Sequence, residues 1–279
     1  MKLLIASCAV LPEPDPDAAP LSAALTAAGV EHAVQGWDDA DASWDGLTVI
    51  RSTWNYPWML ESFLAWVDQV GDRLLNPANV VRWNAHKRYL LDLDAAGIPT
   101  TPTALLTTGS EASLASLCAL QGWTDVVVKP AVSAGSFRTL KTHADDPDGQ
   151  AHLADLLTDR DVLVQPYLRS VEGHGERALV WIDGELSHSV RKTPRFQGMD
   201  ESVSAEALPI SDAEADLAQR TLAAIPFDDE LLYARIDMAP GPDGDPILME
   251  LELIEPSLFF NQAPGSLDRY VAALARRVR

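Results

Sequence analysis

The chain has 279 residues, 47% of them hydrophobic, enough for one large domain or two to three small lobes with real cores. Its formal net charge is −20, and residues 1–50 hold one cation, Lys2, against eight carboxylates; such a surface repels phosphate backbones and anionic lipids, which speaks against nucleic-acid or membrane-surface partners. No stretch approaches the roughly 18 unbroken apolar residues of a membrane span.

Residues 1–84 read as a small α/β lobe. Residues 3–10 form an apolar strand. Ile5-Ala6-Ser7-Cys8 has the form of a lipoprotein cleavage site, but the apolar stretch before it is far shorter than the roughly 7–15 residues of a signal sequence, so a strand and a cytoplasmic protein are expected. Cys8 and Cys118 fit no metal spacing and read as buried thiols in a reducing compartment. Leu21, Ala24, Leu25 and Ala28 recur at helical spacing before Gly29, residues 47–51 form a strand, and Met59, Phe63, Trp66, Val67 and Val70 share one helix face. Alternating strands and helices predict a mainly parallel sheet.

A second unit spans residues 85–175. It has a helix over 85–96 that stops at Gly97, a helix over 111–120, a strand over 126–129, a helix near 150–157 and a strand over 162–165. The third unit spans 176–279. Strands 178–182 and 185–190 flank the turn Asp183-Gly184, helix 212–224 follows, and strands 231–238 and 247–254 are joined by Pro240-Gly241-Pro242-Asp243-Gly244. Residues 267–277 form the last helix.

Chemistry concentrates in the last strand pair. Asp237 ends one strand, and Glu250 and Glu252, two apart, share a face of the next. Carboxylates inside an apolar strand call for a balancing cation, either a hard divalent ion or a salt-bridged face next to Arg235. Lys129 ends a buried strand before the small-residue run Ala131-Val132-Ser133-Ala134-Gly135-Ser136, whose amides suit phosphate oxygens; the alternative is an ordinary surface loop, and the order of a Walker motif is absent. The segment Gln165-Pro166-Tyr167-Leu168, followed by Glu172, is either a nucleotide-edge linker or a plain connection between lobes. Arg51, at a strand end beside Trp54, suits a substrate carboxylate or ordinary surface. His86, His143, His174 and His188 are scattered and read as solvent-facing or capping.

The order Lys87 on a helix, Lys129 before its loop, the 165–168 linker, Arg177, Arg191, Asp237 and Glu250-x-Glu252 resembles the ATP-grasp superfamily over roughly residues 80–265. The Gln-Pro-Tyr linker is similar to that of bacterial glutathione synthetases. The runs 82–87 and 250–257 resemble small actinobacterial-type ligases, among them the family that closes the D-cycloserine ring. The resemblance implies an α/β ATP-grasp fold behind a small N-terminal α/β domain, and an ADP-forming carboxylate–amine ligase working through an acyl phosphate, either inter- or intramolecularly. It implies that Lys87, Lys129, Ser133, Gly135 and Ser136 hold ATP phosphates. Gln165, Tyr167 and Leu168 would contact adenine, and Glu172 the ribose. Asp237, Glu250 and Glu252 would hold two Mg2+ ions, with Mn2+ able to substitute. Arg191, Arg235 and Arg177 would act at the transferring phosphoryl group. Glu252 departs from the asparagine usual at that position. The implied partners are a small-molecule carboxylate and a nitrogen donor, with a homodimer as the assembly. A phosphotransferase of the same fold, a catalytically inactive nucleotide-binding protein and a metal-dependent hydrolase are the alternatives.

Overall fold

The computed structural model describes residues 2–193 and 202–279, and folds them into three four-stranded sheets, the second and third of which border one cleft that loops of the first lobe close. The first sheet holds β1 (Leu3–Ser7), β2 (His32–Gly36), β3 (Leu47–Ile50) and β4 (Leu74–Leu75), with helices α1 (Ala18–Ala27) and α2 (Leu60–Val70). Its order is β2-β1-β3-β4 and every pairing is parallel, as the alternation of elements predicts. β1 is buried at all five positions, which is why its sequence is an apolar run rather than an alternating one. The buried face of α2, Phe63, Trp66, Val67 and Val70, meets an aromatic cluster: Trp37 lies 5.1 Å from Phe63 and Trp44 4.9 Å from Trp66 between ring centroids. Cys8 and Cys118 are buried and unbridged.

Between the first two sheets run α3 (Ala78–Asn84) and α4 (Tyr89–Ala95). The expected single helix over 85–96 is therefore broken, and Lys87 lies in the break rather than on a helix. The cause is tertiary: the Lys87 N–H donates to the carbonyl of Ala131 at 2.7 Å, which turns the chain. The second sheet contains β5 (Ala104–Leu106), β6 (Asp125–Pro130), β7 (Leu140–His143) and β8 (Val162–Pro166) in the antiparallel order β5-β8-β6-β7. α5 (Leu114–Gln121) starts on a Ser113 cap and α6 (Pro147–Leu156) on an Asp146 cap. Together they bury Leu114, Cys118, Leu153 and Leu156 against Val126, Val128, Val162 and Val164. The alternation of β6 then turns Val127 and Lys129 to the opposite face.

After the short α7 (Ser170–Gly173), the third sheet is built from β9 (Glu176–Ile182), β10 (Glu185–Lys192), β11 (Tyr233–Pro240) and β12 (Pro246–Glu252), ordered β10-β9-β11-β12 and antiparallel. α8 (Asp212–Ala223) opens with a Ser211–Glu214 capping box. It packs Leu217 and Ala218 on one face, over Leu179, Ile236 and Leu251. α9 (Pro264–Val278) covers only part of the other face, with Tyr270 and Leu274 against Val180, Ile182 and Tyr233. The uncovered part of that face carries the charged residues of the cleft.

Side chains fasten the first lobe to the third sheet. The Asn76 amide donates to the carbonyls of Tyr233 and Leu253 and accepts from the Leu232 N–H, each at 2.8 Å. Asn84 bridges the Leu251 carbonyl and the Leu253 N–H. Buried Asp17 accepts from the N–H groups of Leu258, Phe259 and Phe260 and pairs with Arg51. Among the described residues no helix is long and apolar enough to cross a membrane.

Candidate active site

The cleft, about 500 Å³, draws its walls from the second and third sheets and from first-lobe loops that carry Pro12, Trp54 and Tyr56. On the third sheet, strand register creates its floor. Arg235 and Asp237 are two apart on β11 and face the cleft; Glu252 pairs across from Arg235, and Glu250 from Asp237. Arg235 donates to Asp237 at 2.9 Å through two nitrogens and also bonds Glu252. From β10, Lys192 reaches Asp237 at 2.6 Å and Glu176 at 3.4 Å. From the α3–α4 break, Lys87 reaches Glu250 at 2.5 Å and the Ser133 carbonyl at 3.1 Å. Lys129 enters from β6, with its pKa lowered by burial against the opposing pull of Glu250.

The carboxylates are held in different states. Burial disfavours Asp237's charge, but Arg235 and Lys192 outweigh it and hold its pKa at about 2. Burial likewise opposes ionisation of Glu250, and Lys87 and Lys129 reverse the effect, so its pKa falls below the usual range. Glu252 ends the other way: burial, helped by Glu250 and Asp237, lifts it to about 7 despite Arg235. Glu255, just beyond β12, is pushed to about 8 by burial and then by Glu252.

Of the residues singled out in the sequence, Lys87, Lys129, Ser133, Gly135, Ser136, Gln165, Tyr167, Leu168, Arg235, Asp237, Glu250 and Glu252 line the cleft together. Arg177 and Arg191 do not. Both lie on the other face of the third sheet, beside α8. Arg177 is buried there, bonded to Glu214, Ser189 and the Pro209 carbonyl, and Arg191 is exposed. The expectation that these two line the cleft is thus corrected; of the neighbours Arg191 and Lys192, which both fall where the resemblance places a phosphate-facing cation, Lys192 is the one on the cleft face. Val190, an apolar position of β10 two residues earlier, was the signal that the alternation points Lys192 inward. Glu172 does not line the cleft; its carboxylate is spent on Lys141 at 2.8 Å. Arg51 does not reach the cleft either, being buried against Asp17 at 3.4 Å. Trp54 does, and its indole N–H donates to the Glu255 carbonyl at 3.2 Å. Glu13, Tyr56, Glu176 and Met249 were not anticipated as cleft residues, whereas Glu255, in the 250–257 run that carries the resemblance, joins Glu250 and Glu252 there.

Among the described residues no group of three or more His, Cys, Asp or Glu is gathered as a metal-ligand cluster, because each floor carboxylate leans on a cation. The donor chemistry nevertheless fits magnesium. Asp237, Glu250 and Glu252 are hard oxygen donors brought onto one surface by the pairing of β11 and β12.

Three antiparallel-or-parallel sheets around a cleft of this make-up define an ATP-grasp ligase, and the comparisons agree. The chain aligns, at 18% identity and a TM-score of 0.70, with a RimK-domain ATP-grasp protein from Sphaerobacter thermophilus, covering 100% of this chain and 99% of the other. Residues 3–76 match the family model for the D-cycloserine synthetase DcsG N-terminal domain. The cycloserine biosynthesis protein DcsG of Streptomyces lavendulae is 34% identical over 285 residues, 95% of each chain. A crystal structure of D-cycloserine synthetase DcsG superposes with a TM-score of 0.90 at 31% identity over the whole of both chains. The chain belongs to the DcsG family of ATP-grasp enzymes, and it is an ATP-dependent, ADP-forming carbon–nitrogen ligase.

Proposed function

We propose that the enzyme closes a ring within a small amino acid: it activates the carboxylate of a β-aminooxy amino acid with ATP and joins it to the aminooxy nitrogen, giving a D-cycloserine-type product. The observation that carries this reading is the cleft itself, where Lys87, Lys129, Lys192 and Arg235 converge with Asp237, Glu250 and Glu252. Whole-length similarity to DcsG supports the ring-closing form over an intermolecular one.

Lys129 and Lys87, with the backbone of Ser133, Gly135 and Ser136, hold the nucleotide phosphates. Gln165, Tyr167 and Leu168 border the adenine, with Val127 and Met249 as apolar walls. Asp237, Glu250 and Glu252 would hold magnesium, which supplies positive charge to the phosphate oxygens. The substrate carboxylate oxygen attacks the γ-phosphorus and ADP leaves, forming an acyl phosphate. The aminooxy nitrogen then attacks the acyl carbon, phosphate departs with the C–O electron pair, and the nitrogen loses a proton. Arg235 and Lys192 stabilise charge on the transferred phosphoryl group, so positioning and electrostatics supply the rate. The substrates are small molecules, and the setting is the cytoplasm.

The test is ADP release from β-aminooxy-D-alanine, with mass spectrometry of the product. The expected result is a product lighter than the acid by one water. Release of ADP with an intermolecular amide as product would replace ring closure by dipeptide-like ligation. Accumulation of a phosphorylated acid with no dependence on the nitrogen would make the enzyme a phosphotransferase.

A further inference from the structure

The charges of the cleft are almost all matched. Lys87 meets Glu250, Lys192 meets Asp237 and Glu176, and Arg235 meets Asp237 and Glu252. Among the described residues, two charged groups of known cleft position make no hydrogen bond or ion pair: Lys129 and Glu255. A free cation suits an anionic ligand, and Lys129 stands beside the 133–137 loop on the nucleotide side. A carboxyl without a partner suits a cationic ligand, which restores the charge that burial suppresses.

Glu255 lies just beyond β12, the strand that carries Glu250 and Glu252. Glu252 is the strongest charge acting on it, and the Glu255 carbonyl accepts the indole N–H of Trp54 from the first lobe. Tyr56, from that same lobe, lines the cleft and makes no hydrogen bond through its hydroxyl among the described residues. Burial holds this phenol protonated, and of the charged groups acting on it Glu255 acts most strongly. Carboxylate, hydroxyl oxygen and indole face are the three groups that receive an alkylammonium: an ion pair, a hydrogen-bond acceptor and a π surface.

We propose that Glu255, with Tyr56 and Trp54, forms the subsite that takes the α-ammonium of the amino-acid substrate, which makes Glu255 the residue that selects amino acids over plain acids; this deepens the ligase reading above and rests on it. Held there, the ammonium end lies on the first-lobe side of the cleft, and the carboxylate is left to face Lys192 and Arg235. The raised pKa of Glu255 belongs to the empty cleft, and an arriving ammonium supplies the counter-charge that burial denies it.

The experiment compares β-aminooxy-D-alanine with 3-(aminooxy)propanoate, the same acid without the α-amino group, by calorimetry. It uses wild type and Glu255→Gln in the presence of magnesium and a non-hydrolysable ATP analogue, at about pH 8 where the carboxyl ionises. Wild type should bind the amino acid at least about tenfold more tightly, and Glu255→Gln should bring the two ligands within about threefold while nucleotide affinity stays within about twofold. A Tyr56→Phe variant should lose part of the discrimination. Equal binding of the two acids by wild type, or unchanged discrimination in Glu255→Gln, overturns the proposal. Because binding is read without turnover, absence of ADP release with intact discrimination would overturn ring closure alone and leave the ammonium subsite standing.

Discussion

Arg191 and Lys192 are neighbours on β10 that face opposite sides of the sheet, and turnover should separate them. Lys192 touches Asp237 inside the cleft, whereas Arg191 is exposed beside α8. Lys192→Met should lower kcat by about 100-fold or more, the usual scale for removing one charge-stabilising donor. Arg191→Ala should change it by less than about threefold. Steady-state ADP release measures both, and the reverse ranking would return the phosphoryl-facing role to Arg191. Glu255 offers a test in stability. Its carboxyl rises from an ordinary 4.5 to about 8 on folding, so the folded state binds the proton more tightly than the unfolded chain. The resulting stability is complete below the unfolded pKa and drains away as pH rises through about 8. Glu255→Gln has no such loss and breaks no partner. Its ligand-free melting temperature should match wild type at low pH and exceed it above about pH 8, by more than about 1 kcal/mol in stability. A variant that melts lower throughout would assign Glu255 a structural contact.

At the scale of elements, the phosphate-side loop shows why some features were legible and others hidden. The small-residue run 131–136 was readable because it follows a lysine at a strand end, and in the fold Gly135 takes a left-handed φ of +58° that suits glycine. Two further positions are not glycine, Ser136 at +59° and Arg138 at +51°, and these are invisible to composition. The loop is anchored by an edge contact of Phe137 on Trp58 at 4.9 Å and by the Arg138 carbonyl on His152 at 2.9 Å. Magnesium with a non-hydrolysable ATP analogue should slow amide exchange over 134–138 by at least about tenfold, and Trp58→Ala should speed exchange in the free enzyme. Equal exchange with and without nucleotide would remove the loop from phosphate binding. The carboxylate face of β12 was legible from its i, i+2 spacing, and so were most strands and helices. Other features depended on contacts distant in sequence. Residues 85–96 have helical composition, yet a single hydrogen bond from Lys87 to Ala131 breaks them. The strands β2, β4 and β7 are short or half exposed, so they lack an apolar run to mark them.

At the scale of the whole molecule, the ammonium subsite requires that the first lobe stay registered on the third sheet, because across that joint Trp54 bonds the Glu255 carbonyl and Tyr56 lines the same cleft. The sequence did not reveal the joint, since its bonded members lie from 156 to 243 residues apart; at the far end of that range Asp17 receives the N–H groups of residues 258–260 at 2.7, 3.2 and 3.0 Å. The same carboxylate is the counter-ion of buried Arg51, which reaches it through one terminal nitrogen at 3.4 Å while its other two nitrogens have no acceptor among the described residues. Asp17→Ala therefore orphans three backbone donors and a buried guanidinium at once. Breaking one side of a buried pair typically costs about 3–5 kcal/mol, and the orphaned amides add to it. At about 2–3 °C per kcal/mol for a chain of this size, the melting temperature should fall by on the order of 10 °C. Asp17→Asn keeps a carbonyl acceptor for the loop but not the charge, so it should fall by clearly less than Asp17→Ala. Near room temperature, where Asp17→Ala is still folded, nucleotide affinity should stay close to wild type because Lys87, Lys129 and the 165–168 linker are untouched. Discrimination for the α-ammonium should weaken, because the first-lobe wall of its subsite is no longer held. Calorimetry with the nucleotide analogue and with the two aminooxy acids separates these effects. Loss of nucleotide binding in proportion to acid binding would mean that Asp17 supports the fold as a whole and has no particular bearing on the joint.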